Sequence, residues 1–126
     1  MKKFLLASCA ALLLPTSVAL ADVSAELTTA SQHAGFAAKA PGIDQVHMHL
    51  HHVVNCLVGP SGTGFDTTVA NPCGKSGAGA IPDGSPAQKA KLQTALSSAN
   101  AGIAATDVAA AQKDATDAGA AIDGAK

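Results

Sequence analysis

Histidine is the residue type on which any chemistry in this chain must turn. Four of its five histidines, His47, His49, His51 and His52, fall within six positions, and the fifth, His33, lies just upstream. Imidazole titrates near neutrality and is the commonest metal ligand, so such a cluster can bind a metal or move a proton. His47 and His51 stand four apart, a spacing that puts both rings on one face of a helix, where they can share one transition metal. His49 and His52, three apart, lie on the opposite shoulder, with His52 directed further towards solvent. They offer a second, looser site or a proton-sensitive patch. His33 can complete a coordination shell if its helix faces the right way. The competing reading is that these are ordinary solvated surface histidines.

Other candidates carry less. The glutamate base that accompanies two histidines in zinc peptidases is absent, and no nucleophile–base–orienter set can be assembled, so no catalytic residue is assigned and an enzyme is not expected. Gly59-Pro60-Ser61-Gly62-Thr63-Gly64 opens like a phosphate-binding loop, but Phe65 and Asp66 stand where Lys and Ser/Thr are required. The aspartates Asp107, Asp114, Asp117 and Asp123 lack calcium-loop spacing. No cysteine pair is followed by histidine, which excludes covalent c-type haem. Met48 is a soft donor for cuprous copper or simply packing.

The positioning elements read as helices. Leu27, Ala30, Ala34 and Ala37 or Ala38 recur at helical spacing, which predicts a helix over 24–39 ended by Pro41-Gly42. A second helix over 43–57 presents Ile43, Val46, Leu50, Val53, Val54 and Leu57 on one face, with Met48 and Asn55 pointing away from the core. Ser85-Pro86-Ala87-Gln88 is a helix start, a Ser cap with Pro at the first position and Gln at the capping-box position, for a helix over 86–104. A last helix over 107–123 follows. The stretch 59–84 is aperiodic and rich in Gly, Pro and Ser, with Ile81-Pro82-Asp83-Gly84 as a tight turn at its exit. The expected fold is all-α: a four-helix bundle of two hairpins joined by that long loop.

The N-terminus reads as an export signal. Lys2 and Lys3 precede an apolar run from Phe4 to Leu14, and Ala19-Leu20-Ala21 supplies a small-residue cleavage site, which assigns 1–21 to a removed signal peptide and 22–126 to one domain. The apolar run is too short for a membrane span and is broken by Pro15, so none is expected in the mature chain. A rival cut before Cys9 has the pattern of lipid attachment. Cleavage after Ala21 leaves Cys56 and Cys73, and an oxidising compartment makes them a disulfide. Periplasmic or secreted localisation follows. Six lysines in 22–126, no arginine and no basic stripe argue against nucleic acid as a partner. Alanine buries little area, so a chain this small needs a staple: a disulfide, a metal or close helix contact.

The layout of signal peptide, His33 on the first helix, and His47 and His51 on the second resembles small periplasmic His-containing helical-bundle metal-binding proteins of bacteria. The C-terminal pair, joined through Ala101-Gly102-Ile103-Ala104-Ala105-Thr106-Asp107-Val108, is similar to the hairpins of that group. The chain departs from the pattern in having no histidine in its C-terminal half and in adding the Cys56–Cys73 loop. The resemblance implies an exported bundle that sequesters, buffers or delivers a metal ion. By the affinity order for nitrogen ligands that ion is copper first, with zinc and nickel open. Two alternatives remain at this level: a cell-envelope structural or interaction protein using the disulfide-pinned loop as its surface, or a small b-type haem protein.

Overall fold

The computed structural model describes residues 21–126; the proposed signal segment falls almost wholly outside them. Among the described residues the chain is all-helical, with five helices and no strand: α1 (Val23–Lys39), α2 (Ile43–Val58), α3 (Ala80–Asp83), α4 (Pro86–Ala104) and α5 (Val108–Asp123). None is long and apolar enough to cross a membrane. α1 packs on α2 and α5, and α4 packs on α5 and α2.

Local chemistry sets the helix starts. The Asp22 carboxylate accepts the Ala25 N–H at 2.9 Å, and Asp107 accepts that of Ala110 at 2.9 Å. Ser85 and Gln88 form the expected reciprocal capping box. Each cap satisfies an amide that the first helical turn leaves without a partner.

The core is divided by side-chain size. α2 contributes bulk through Val46, Leu50, Val53, Val54 and Leu57, whereas α1 and α5 contribute mainly alanines: Ala30, Ala34 and Ala37 from one, Ala111, Ala115 and Ala118 from the other. Small residues allow the helices to come close. At Gly102 of α4 even a methyl would be too large, because a Cβ there would sit 2.6 Å from Leu50 Cδ1 and 3.3 Å from the Ala111 carbonyl oxygen.

Between Val58 and Ala80 the chain makes turns without regular helix and returns to its own start. Gly59 (φ 68°) ends α2 in a conformation only glycine adopts freely, and a Cβ on it would run into the Ala78 carbonyl. The segment expected to be loop throughout 59–84 closes instead on a one-turn helix, α3. The turn forms because the Asp83 N–H reaches the Gly79 carbonyl at 3.0 Å and the Asp83 carboxylate takes the Ala78 N–H at 2.6 Å. Pro82 sits within the first turn, where its missing N–H costs nothing.

Two devices tie this connection down. Cys56 and Cys73 form the expected disulfide, with Cα atoms 5.1 Å apart. Asn55, expected to point away from the core, is fully buried. Its Nδ2 donates to the carbonyls of Asp66 (2.9 Å) and Ala70 (3.3 Å), while its Oδ1 accepts the Asp66 N–H at 2.8 Å. The outward side of α2 is roofed here by the loop, so a residue opposite the helical core still lies inside.

Replacing Asn55 by alanine leaves three backbone groups without partners under that roof. The expected loss is about 2–4 kcal/mol of unfolding free energy, read from urea denaturation at constant m-value. A loss below about 0.5 kcal/mol, the range of ordinary surface substitutions, would show that water replaces the amide without cost.

Candidate metal centre

α1 and α2 meet through the sharp Pro41-Gly42 link, so His33, late in α1, faces residues in the middle of α2. The histidines it meets are His49 and His52. His33 Nδ1 lies 3.2 Å from His49 Nδ1 and 3.2 Å from His52 Nδ1. One ring nitrogen from each of the three converges within 4.8 Å of the others, and all three side chains are half-buried. This triad is able to hold a metal ion. Among the described residues it is the one group of three or more His, Cys, Asp or Glu side chains that converges in this way.

The other shoulder of α2 is differently engaged. His47 Nε2 donates to the Ala105 carbonyl at 2.9 Å, tying α2 to the α4–α5 connection. His51 Nδ1 lies 3.2 Å from the Asp66 carboxylate. The Thr68 hydroxyl (2.6 Å) and N–H (2.8 Å) hold that carboxylate below its ordinary pKa, with His51 adding to the effect. The four-residue spacing of His47 and His51 therefore places them on one side of α2, but the structure gives each its own partner and, among the described residues, brings no third ligand to them. His33 joins the opposite shoulder.

Burial and mutual proximity set the charge of the triad. Burial first, then the neighbouring His52 and His49, lowers the His33 pKa from 6.5 to about 4. His49 is lowered by burial, and His52 by burial and by His49 and His51. Near neutrality the three rings are thus uncharged, with lone pairs available to a cation. An aromatic wall flanks them: the Phe36 ring lies edge-on to His33 at 5.6 Å and 5.4 Å from His49.

Two further features lie away from this centre. Glu26, the sole glutamate, is fully buried. Its Oε1 accepts the Gly79 N–H at 3.0 Å, while Oε2 has no partner among the described residues. Burial raises its pKa, against the lowering effect of that hydrogen bond, with Asp83 and Asp22 adding to the rise. Its isolation in the sequence, in the first turn of a helix, was the only signal that it might be special. A cavity of about 440 Å³ between the loop and α4, lined in part by Val58, Ile81, Pro82, Lys89 and Leu96, contains no histidine.

No protein-family profile, characterised relative or solved structure matches the chain.

The lowered His33 pKa has a stability consequence with a definite sign. Between pH 6.5 and about 4 the unfolded chain binds a proton at His33 that the folded chain refuses, so stability falls as pH drops through that window and is regained above it. Glu26 acts oppositely, since its raised pKa lets the folded chain keep a proton longer. In chelator-treated protein, H33Q should flatten the decline of melting temperature across this window relative to wild type. Equal slopes would show that His33 is as easily protonated folded as unfolded.

Proposed function

We propose that this chain is an exported, non-enzymatic protein that binds one transition metal ion through His33, His49 and His52, and that it sequesters, buffers or delivers that ion. The observation that carries the reading is the convergence of three imidazoles from two helices: His33 Nδ1 stands 3.2 Å from both His49 Nδ1 and His52 Nδ1, and one ring nitrogen of each lies within 4.8 Å of the others. For metal–nitrogen bonds of 2.0–2.1 Å, neighbouring donors stand about 3.3–3.4 Å apart in a tetrahedron and about 2.8–3.0 Å in an octahedron. The observed 3.2 Å lies between them.

The signal-like N-terminus and the disulfide support export. Four long helices arranged as two hairpins support a four-helix bundle, a scaffold that commonly builds metal sites from side chains on facing helices. Nitrogen donors favour copper over nickel and zinc.

The site is tested by metal titration of the disulfide-intact protein with Cu(II), Ni(II) and Zn(II), followed by mass-spectrometric metal analysis. Wild type should retain about one ion per chain. H33A/H49A should weaken binding at least about 100-fold, whereas H47A/H51A should retain the ion, because those rings serve Ala105 and Asp66. Undiminished binding by H33A/H49A would overturn the assignment.

A further inference from the structure

Three imidazoles leave a four-coordinate ion one ligand short, and no fourth His, Cys, Asp or Glu joins them among the described residues. The missing donor has a candidate in the surface around the site. Among the described residues two large apolar side chains are prominently exposed, Phe36 at 53% and Met48 at 41%. Singly, such exposure is ordinary. Here Phe36 contacts the rings of His33 and His49, and Met48 immediately precedes His49 and lies one helical turn before His52.

We propose that the Met48 thioether is the fourth ligand of the three-histidine centre and makes it a site for cuprous copper. This rests on the metal-binding reading above and goes beyond it by naming a donor and an oxidation state. Residues four apart on a helix have Cβ atoms about 5–6 Å apart, and His52 leans back along the helix towards the turn that carries Met48. Methionine has three rotatable bonds with which to bring sulfur to an ion held at the His52 nitrogen.

Charge favours the same ion. Three neutral imidazoles and a thioether contribute no negative charge, and no carboxylate belongs to the converging group. A dication would keep its full charge in a half-buried setting, whereas a monocation leaves half as much to desolvate. A soft thioether prefers Cu(I), which accepts tetrahedral geometry. The Phe36 ring stands beside His33 and His49 at 5.6 and 5.4 Å and brings an apolar face, with no hard donor, to that side of the centre.

The test compares wild type with M48L, which keeps bulk and removes sulfur, by anaerobic competition against a chromophoric Cu(I) chelator. Ascorbate serves as the reductant because it spares the Cys56–Cys73 bridge, and a thiol assay verifies that no cysteine is free. Leucine should weaken Cu(I) binding about tenfold or more and leave Zn(II) affinity within about twofold. Copper-edge X-ray absorption should show sulfur scattering in wild type and none in M48L. Unchanged Cu(I) affinity in M48L, or a wild-type spectrum without sulfur, would overturn the role of Met48. Zn(II) binding without Cu(I) binding would overturn the proposal and leave the three-histidine reading standing. Loss of both would sink the two together.

Discussion

The close approach of α1 to its neighbours is the constraint from which the rest follows. α1 turns Ala30, Ala34 and Ala37 into the core, all essentially inaccessible to solvent. Small side chains permit helix axes at the near end of the usual 8–10 Å range. With α1 packed on α2 through these alanines, His33 reaches two residues of α2 at 3.2 Å. Larger residues along α1 would add buried area but push the helices apart, and the three nitrogens would no longer converge. The sequence accepts a thin core in exchange for this proximity.

The alanines that α1 and α5 bring to the core bury little, so part of the stability has to come from elsewhere. Part comes from the disulfide, whose residues are separated by 17 positions; closing such a loop in the unfolded chain is worth about 3 kcal/mol on an entropic account. Asn55 stands next to Cys56 and fastens the same loop through its backbone at Asp66 and Ala70. Further along, Glu26 holds Gly79 and the Asp22 N–H meets the Ser76 carbonyl at 2.7 Å, so the connection also closes over the start of α1. The same loop supplies the Asp66 carboxylate beside His51.

How far these features were legible in the sequence depended on whether they are properties of one helix or of several. Helical periodicity, the Ser85–Gln88 start and the cysteine count are local, and they anticipated the all-helical chain and the Cys56–Cys73 bridge. The histidine cluster was equally visible. What a helical projection of α2 could not contain is the side on which α1 would lie, and that choice joins His33 to His49 and His52 while giving His47 and His51 other partners. Asn55 projects opposite the apolar stripe and is nonetheless buried, because its cover is an aperiodic segment whose path has no periodic signature. Glu26 is hidden by the same segment. α3 was masked by Pro82, usually a breaker but harmless in a first turn.

The two shoulders of α2 divide the histidines by what their nitrogens face. His47 and His51 each meet a carbonyl or carboxylate, acceptors that fix a tautomer and tie down another part of the chain. In the triad, nitrogen faces nitrogen. With its own proton on Nε2, His33 offers one Nδ1 lone pair that the Nδ1–H groups of His49 and His52 share, and all three rings stay neutral. Protonating His33 removes that acceptor and sets a charge against its neighbours, in keeping with its lowered pKa. A metal requires only that the protons on His49 and His52 move from Nδ1 to Nε2, a change of tautomer with no net release of protons. The free site thus keeps three neutral rings, each with one lone pair to give, and a cation held between them would use all three at once.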